Sequence, residues 1–271
     1  MNDEYEHPDD KLLYVTENIL QYCDNSEEFM RLRDVYNSLY QQCQCKDICS
    51  PATCECIQRS RGANYEAYQK EGKTKYKLIS RPEPESYPIV ECNDSCDCAV
   101  GLSMCGNRIV HIGPIGGLDI RSCDKGYGLF ATSPITAGTF VCEYAGEILT
   151  ATEASKRHDV NKRDGKPNYI MCLKEHYGSN TMVTIIDPST MGNIGRYINH
   201  SCDPNCHIVP VRSGSCIPKL CIFACKDISP DEEITFQYGS DDETETVNES
   251  DRVKCLCGAQ NCRGFLPYHN Y

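Results

Sequence analysis

Hydrophobic residues from about residue 108 onward come in short runs that Gly, Pro and Asn separate, which is the pattern of short β-strands joined by turns. Six such runs are predicted as strands, at residues 118–121, 128–131, 139–144, 182–187, 219–224 and 233–236. One helix is expected in this region, at residues 151–163. The pattern therefore predicts a mainly β fold with a few helices.

The first 42 residues show a different pattern. Residues 1–10 are charged and poor in apolar side chains, so we expect them to be disordered. Residues 11–20 fit either a strand or a short helix. Residues 26–41 predict a helix with Ser26 as N-cap, because apolar side chains recur there at helical spacing. These side chains are Phe29, Leu32, Tyr36, Leu39 and Tyr40.

Cysteine is unusually frequent, with 21 in a chain of 271 residues. The length fits one compact domain with appended modules. So many cysteines indicate either a secreted disulfide scaffold or an intracellular metal protein. Residues 1–10 show no signal-peptide pattern, so metal binding is the favoured interpretation. No apolar run reaches the roughly 18 residues that a membrane-spanning helix needs, so no membrane association is expected.

The chain carries a net charge of −12. Nucleic-acid backbones attract Lys and Arg, so no strong direct nucleic-acid binding is expected. An acidic surface suits a basic peptide as partner, although the same charge also serves solubility alone. Residues 240–251 are mostly acidic or polar, and we expect this stretch to be mobile.

Twelve of the cysteines form three closely spaced groups. The first is Cys43, Cys45, Cys49, Cys54 and Cys56, the second is Cys92, Cys96, Cys98 and Cys105, and the last is Cys255, Cys257 and Cys262. Cysteines this close can converge on one zinc ion as thiolates, whereas a disulfide between them would strain the chain. The roughly 35 residues between the first two groups show little periodicity and contain the turn-forming Arg81–Pro84, so we expect a loop there.

The nine cysteines of the first two groups cannot supply three separate four-cysteine sites, but they can hold three zinc ions if thiolates bridge. Such closed all-thiolate sites are structural, because they leave no open position for a substrate. The last group has only three cysteines, and a tetrahedral zinc site needs a fourth ligand.

Four further motifs lie between the second and last cysteine groups. They are Gly126-Tyr127-Gly128, Glu143-Tyr-Ala-Gly-Glu147, Gly192-Asn-Ile-Gly-Arg-Tyr-Ile-Asn-His-Ser-Cys202 and Glu232-Glu-Ile-Thr-Phe-Gln-Tyr238. Together with the cysteines, these motifs resemble the SET-domain lysine methyltransferases of the suppressor-of-variegation type, over roughly residues 11–268. A closer likeness, to the branch fused to a mariner transposase, is carried by Asn168–Ile170, Glu175-His176, Pro210–Arg212 and Pro218–Ile228.

The resemblance implies a SET-domain β-clip fold of small curved sheets with a threaded pseudoknot, flanked by zinc-bound pre-SET and post-SET modules. The expected organisation is an N-terminal segment at 1–42, a pre-SET module at 43–107, a SET catalytic domain at 108–239, an acidic linker at 240–254 and a post-SET motif at 255–271. In the family, the fourth ligand of the post-SET zinc corresponds to Cys202, and Cys206 is a nearby rival.

The resemblance also implies S-adenosylmethionine as cofactor. The matching cofactor positions are Lys125, Gly126, Tyr127, Gly128, Tyr169, Arg196, Asn199 and His200. The catalytic positions are Tyr238, Phe236 and Tyr169. Phe236 stands where the family alternates between Phe and Tyr, and Phe leaves room for a di- or trimethyl product.

The expected function is methylation of a lysine in a histone H3 tail, which implies chromatin as partner and nucleus and chromosome as location. The ninth-position lysine is favoured, with the thirty-sixth or fourth as alternatives. A non-catalytic chromatin-binding SET module and a methyltransferase for a non-histone protein are the other hypotheses. Asn193, Asp187 and Glu147 fit a core role as well as a site role. The remaining cysteines are interpreted mostly as small buried apolar residues without a function: Cys23, Cys123, Cys142, Cys172, Cys206, Cys216, Cys221 and Cys225.

Overall fold

The computed structural model describes residues 5, 7–20, 25–46, 48–70, 72–79, 88–100, 105–177, 179–239 and 252–267. The helices in these ranges are α1 (Glu27–Asn37), α2 (Glu55–Arg59) and α3 (Ala151–Asp164). The strands are β1 (Leu13–Tyr14), β2 (Tyr65–Lys70), β3 (Lys73–Leu78), β4 (Ile89–Val90), β5 (Leu118–Cys123), β6 (Gly126–Ala131), β7 (Phe140–Glu143), β8 (Glu147–Leu149), β9 (Met171–Tyr177), β10 (Asn180–Asp187), β11 (Met191–Gly192), β12 (Asn199–His200), β13 (Cys206–Arg212), β14 (Lys219–Ala224) and β15 (Glu233–Phe236).

Three small sheets surround the main hydrophobic core. Their strand orders are β8-β10-β9, β12-β15-β6-β5 and β4-β13-β14-β7, and two-stranded pairs β1-β11 and β2-β3 lie beside them. The buried centre includes Leu129, Ile186, Ile194, Ile222 and Phe236. None of the helices in the described ranges is both long and apolar enough to cross a membrane.

Helix α1 begins where the sequence predicts, because the Ser26 hydroxyl accepts a hydrogen bond from the Phe29 N–H at 3.2 Å. Phe29 is buried, and Leu32 and Tyr36 pack against the main core. The helix ends at Asn37, before the predicted boundary, and Leu39 is 70% exposed. The inclusion of Leu39 in the apolar face was therefore wrong.

The stretch between the first two cysteine groups is not the irregular loop that the sequence predicts. It contains the antiparallel hairpin β2–β3. Tyr65, Tyr76 and Leu78 pack inward, while lysines occupy much of the opposite face. The alternation is weak in β2 but regular in β3, where the prediction of little periodicity was wrong. Arg81–Pro84 and residues 240–251 lie outside the described residues.

The expectation of disorder at residues 1–10 was wrong for those that the structure describes. The Tyr5 hydroxyl donates a hydrogen bond to the Ile115 carbonyl at 2.6 Å, and its ring packs against the main core. Farther along, β1 pairs in parallel with β11, which ties the start of the chain to the segment that leads into the Asn193–Cys202 motif.

Glu147, Asp187 and Asn193 are buried and hydrogen-bonded within the fold. Arg157 of helix α3 donates to Glu147 at 2.9 Å and to Asp187 at 2.8 Å, which fastens the helix to the β8–β10 pair. The Asn193 side chain accepts from the Gly195 N–H at 2.9 Å and shapes the turn that follows.

The unassigned cysteines mostly follow the expectation of small buried residues. Cys142, Cys206 and Cys221 are buried, and Cys123, Cys172 and Cys216 are half-buried. Cys225 is the exposed exception among the described ones. Cys23 lies outside the described residues.

Candidate active site and metal-binding clusters

All nine cysteines of the first two groups converge on one cluster of sulfur atoms. They form four overlapping sets whose ligand atoms lie within 4.8 Å of one another, and Cys43 and Cys92 each belong to three of these sets. Cys92 Sγ lies 3.9, 3.8 and 3.7 Å from the Sγ atoms of Cys43, Cys49 and Cys54. Two thiolates on one tetrahedral zinc, each about 2.3 Å from the ion, are about 3.8 Å apart. The donor set therefore fits zinc.

Cys202 joins the three C-terminal cysteines across the chain. It forms a set with Cys255, Cys257 and Cys262, and its Sγ lies 4.0 Å from that of Cys255. Cys206, the rival, is fully buried in strand β13 and belongs to none of the metal-binding sets in the described residues. The four-thiol set again suits one tetrahedral zinc.

A parallel pairing brings two distant motifs side by side. Strand β12 pairs with β15, so that Asn199 lies opposite Thr235 and His200 opposite Phe236. Strand β15 also pairs with β6, which begins at Gly126. Three of the four motifs between the cysteine groups therefore share one sheet.

Glu233 connects the polar side chains near Gly126 in this sheet. Its carboxylate accepts one hydrogen bond from Asn199 Nδ2 at 2.8 Å and another from Lys125 Nζ at 2.5 Å. Asn199 Nδ2 also donates to the Tyr127 carbonyl at 2.9 Å. A Cβ atom at Gly128 would lie 2.8 Å from Glu233 Oε1, so a larger residue there would displace this carboxylate. Sequence analysis quoted Glu233 inside a motif but gave it no role.

The backbone at Gly126 is open to an approaching ligand. Its φ of +99° is a conformation that favours glycine, and no heavy atom lies within 4 Å of where a Cβ would be. Tyr127 beside it is 48% exposed. Open backbone beside fixed polar groups leaves room for a ligand to approach this end of strand β6.

Arg196 and Tyr169 lie together at the edge of this region. The Arg196 guanidinium lies 4.5 Å from the centroid of the Tyr169 ring, in a cation–π contact. Arg196 also donates to the Pro188 carbonyl at 3.1 Å. Tyr144, which sequence analysis did not single out, donates its hydroxyl to the Tyr169 carbonyl at 2.6 Å.

An aromatic cluster surrounds Tyr238. Its ring centroid lies 5.0 Å from that of Phe236 and 5.4 Å from that of His200. The fully buried Phe236 also has Tyr144 at 6.0 Å. The Tyr238 hydroxyl donates to the Ile198 carbonyl at 2.9 Å, which fixes its position.

The protonation states in this cluster follow from burial. Burial raises the pKa of Tyr238 well above its ordinary value, and the charges of Tyr169 and Glu233 raise it further, so the hydroxyl keeps its proton. Burial, with the cations Arg263 and Lys125, lowers the pKa of His200 to about 4. His200 is therefore neutral, and its Nδ1 accepts the Tyr238 backbone N–H at 3.2 Å.

Comparison with known proteins identifies the family. A family model of the SET domain matches residues 126–239, and one of the Pre-SET motif matches residues 1–108. Histone-lysine N-methyltransferase SETMAR of Bos taurus is 38% identical over 237 residues, which are 83% of this chain and 74% of the relative. Probable histone-lysine N-methyltransferase set-23 of Caenorhabditis elegans is 37% identical over 236 residues, which are 86% and 89%. The chain belongs to the SET-domain histone-lysine N-methyltransferases.

Solved structures also resemble this methyltransferase. The crystal structure of the methyltransferase domain of human SETMAR matches with a TM-score of 0.76 at 30% identity, covering 99% of this chain and 93% of that one. A crystal structure of Arabidopsis thaliana SUVH6 in complex with SAM matches with a TM-score of 0.72 at 25% identity, covering 98% and 52%. The predicted family and the mainly β SET-domain fold are confirmed.

Proposed function

We propose that this methyltransferase transfers methyl groups from S-adenosylmethionine to a lysine of a histone H3 tail. The observation that carries the proposal is the meeting of Tyr238, Phe236 and His200 in one aromatic cluster beside Asn199. Family membership supports the reaction class, and the SUVH6 structure holds SAM in a related fold.

Two groups of residues would hold the cofactor. Gly126 and Tyr127 are exposed at the start of β6, with Lys125 before them and the buried Gly128 after them, and Asn199 donates a hydrogen bond to the Tyr127 carbonyl, with His200 following it. Arg196 and Tyr169 would close the other side. When bound, the cofactor supplies a sulfonium methyl group that is open to nucleophilic attack.

Tyr238 would orient the incoming lysine. Its hydroxyl is protonated and held on the Ile198 carbonyl, so its oxygen keeps lone-pair capacity for a further hydrogen bond. The surrounding aromatic side chains exclude water and disfavour a charged amine, so lysine enters more readily in its neutral form. A neutral amine has the lone pair that methyl transfer needs, and a fixed geometry aligns it with the methyl group.

Phe236 supports a di- or trimethyl product. Its ring is fully buried and lies among Tyr144 and Tyr238, with no hydroxyl of its own to hold the amine or a water. An amine that already bears a methyl group can therefore turn and expose its lone pair again.

The cysteine clusters would hold zinc as structural ions. Nine cysteines with Cys43 and Cys92 shared among sets fit three ions in the pre-SET module, and the Cys202 set fits one ion in the post-SET motif. We propose that these modules, at 43–107 and 255–271, flank a catalytic domain at 108–239, with 1–42 and 240–254 as N-terminal segment and linker.

A histone tail suits the charge of the chain. The net charge of −12 attracts a basic peptide, and the named relatives are histone-lysine methyltransferases. The ninth-position lysine is the favoured target, with the thirty-sixth and fourth as alternatives. Nucleus and chromosome are the corresponding location.

The test is a methyl-transfer assay on recombinant histones with labelled S-adenosylmethionine. Mass spectrometry locates the modified lysine, and Tyr238→Phe serves as the inactive control. We expect methylated histone H3 from the wild type and a loss of at least about 100-fold in rate in the variant, since orientation is lost. Methylation of another protein in preference to H3, by the same folded enzyme, would replace the substrate in this proposal.

A further inference from the structure

Residues 7–15 of the N-terminal segment lie against the Gly192–Cys202 motif, beside the proposed cofactor positions. The His7 ring centroid lies 5.8 Å from that of Tyr197. An Asp9 carboxylate oxygen lies 3.5 Å from a guanidinium nitrogen of Arg196. The segment therefore contacts two consecutive residues of the Gly192–Cys202 motif.

Backbone pairing holds this segment in place. Leu13 N–H donates to the Thr190 carbonyl at 2.9 Å, and Val15 N–H donates to the Gly192 carbonyl at 3.0 Å. Both acceptors lie just before the 3₁₀ turn Ile194–Tyr197 that carries Arg196. The contacts of His7 and Asp9 thus arise from a chain that is already aligned with the motif.

Arg196 depends on Asp9 for a counter-charge. Its side chain is only 5% exposed, whereas that of Asp9 is 42% exposed. The other polar partners, the Pro188 carbonyl and the Tyr197 hydroxyl, carry no charge. Among the described residues, Asp9 is the only one whose carboxylate lies within ion-pair distance of Arg196. A buried guanidinium without a carboxylate is unfavourable, so Asp9 constrains where Arg196 can lie.

Arg196 and Tyr197 in turn touch proposed cofactor residues. The Arg196 guanidinium lies over the Tyr169 ring at 4.5 Å. The Tyr197 ring meets the Tyr127 ring edge-on at 6.4 Å. The N-terminal segment therefore supports the proposed cofactor region indirectly. Asp9 contacts Arg196, which contacts Tyr169, and His7 contacts Tyr197, which contacts Tyr127.

We propose that Asp9 and His7 are positioning residues that hold Arg196 and Tyr197 in place and so set the affinity for the S-adenosyl cofactor. This rests on the proposed function, since it concerns the same cofactor site. We expect the segment to act mainly on binding of the cofactor, because His7 contacts Tyr197 and Asp9 contacts Arg196, and these two residues touch the proposed cofactor positions Tyr127 and Tyr169.

The test uses the full chain with Asp9→Asn, Asp9→Glu, His7→Ala and Asp10→Asn. In the wild type, Asp9 Oδ1 accepts a hydrogen bond from the Lys11 N–H at 3.1 Å. Asparagine at position 9 keeps this acceptor but removes the charge. Glutamate restores the charge. Asp10 is an exposed neighbouring carboxylate and serves as the matched control. For each variant, titration calorimetry gives the affinity for S-adenosylhomocysteine. Steady-state kinetics give kcat and the KM values for S-adenosylmethionine and for a histone H3 peptide. Thermal unfolding gives the unfolding temperature.

For Asp9→Asn we expect the dissociation constant of S-adenosylhomocysteine and the KM for S-adenosylmethionine to rise about fivefold, the effect of one partly exposed ion pair. His7→Ala should act in the same direction, Asp9→Glu should recover most of the affinity, and Asp10→Asn should match the wild type. The kcat and the KM for the peptide should stay within about twofold of the wild type.

Unchanged cofactor affinity in Asp9→Asn, or a lower unfolding temperature with unchanged affinity, would overturn the inference while the wild type still binds and methylates. A change confined to kcat or to the KM for the peptide would overturn it as well. Failure of the wild type itself to bind S-adenosylhomocysteine would instead refute the proposed function, and this inference with it.

Discussion

At Phe236, we propose that the absence of a hydroxyl group sets how many methyl groups the site can add. The ring is fully buried between Tyr144 and Tyr238. A tyrosine there would bring a polar group that needs a hydrogen-bond partner, and the substrate amine or a trapped water is the available one. Either partner restricts the rotation that a second methylation requires.

We therefore predict that Phe236→Tyr shifts the product of a histone H3 peptide toward monomethyl-lysine. Mass spectra taken over a time course, with equal enzyme and saturating S-adenosylmethionine, give the ratio of the three products. The first methylation should proceed at a rate within about tenfold of the wild type, because Tyr238 still orients the amine. An unchanged product ratio would contradict this account of Phe236.

Glu233 is a second residue with a role that the sequence pattern alone does not indicate. It links Lys125 and Asn199 through its two carboxylate oxygens, at 2.5 and 2.8 Å. Glu233→Gln keeps the shape of the side chain but removes its charge. The new amide nitrogen is itself a donor and would face the donor nitrogen of Lys125 or Asn199, so one of the two hydrogen bonds is lost. Because hydrogen bonds to charged groups contribute about 1.5–3 kcal/mol each, we expect S-adenosylhomocysteine to bind at least about tenfold more weakly.

Titration calorimetry measures this change, and Glu232→Gln is its control. Glu232 is the adjacent carboxylate, but it accepts from Asn205 at 2.8 Å, away from Lys125 and Asn199. Equal affinity for S-adenosylhomocysteine in the two variants would show that the contacts of Glu233 with Lys125 and Asn199 do not contribute to cofactor binding.

Helix α3 is fastened to its sheet by a charge network. Arg157 donates to Glu147 and Asp187, which are both nearly inaccessible to solvent, and to Glu153 at 3.0 Å. Removing the cation leaves two buried carboxylates without their counter-charge. We predict that Arg157→Met lowers the free energy of unfolding by about 3 kcal/mol, and thermal unfolding followed by circular dichroism measures it.

Lys156→Met is the matched control for this prediction. Lys156 is the neighbouring cation on the same helix, 74% exposed, with Glu153 at 3.5 Å. We expect its unfolding temperature to change little, since exposed ion pairs contribute at most about 1 kcal/mol. Similar unfolding temperatures for the two variants would show that the buried network contributes little to stability.

The C-terminal element depends on one cysteine from the core. Cys202 supplies the fourth thiol to Cys255, Cys257 and Cys262. We predict that Cys202→Ser lowers the zinc content by about one ion per chain and reduces methyl transfer, because an incomplete tetrahedral site binds the ion weakly. Mass spectrometry of the metal in freshly purified protein measures the first effect.

Cys206→Ala separates the zinc effect from the loss of any nearby thiol. Cys206 is buried in strand β13 and shares none of the metal-binding sets in the described residues. The zinc content of this variant should equal that of the wild type. Loss of one ion from Cys206→Ala, with retention in Cys202→Ser, would reverse the assignment.

Across the whole molecule, the parts that the sequence predicts are those with a specific local pattern. The cysteine spacings, the Asn199-His200 pair and the six core strands follow from residue types and spacing. Contacts between distant, ordinary residues leave no such pattern. Arg196 and Asp9 are 187 positions apart, and Tyr144 and Tyr169 are 25 apart, so neither pair could be found without the fold.

Hairpin β2–β3 illustrates a different limit. Its inward side chains are only partly apolar, because the hairpin covers the pre-SET side of the core with Tyr65, Tyr76 and Leu78 while lysines fill the other face. Alternation is weak in β2, whose inward positions are Tyr65, Ala67 and Gln69, whereas β3 alternates lysines with Thr74, Tyr76 and Leu78. Tertiary packing decides the structure at such positions.

The two cysteine modules determine how the whole molecule should respond to loss of metal. The cluster around Cys43 and Cys92 has few apolar side chains besides its cysteines, mainly Ile57 and Val90, so zinc must supply most of the energy that orders it. The proposed lysine-orienting groups are Tyr238 and its aromatic neighbours. The closed thiolate sets leave no open position for a substrate, so we expect zinc to take no part in the reaction itself. We therefore predict that a zinc chelator abolishes methyl transfer and folded structure together, with one time course for activity, circular dichroism and zinc release. Loss of activity while circular dichroism and S-adenosylhomocysteine binding stay intact would instead assign a zinc ion to the reaction itself.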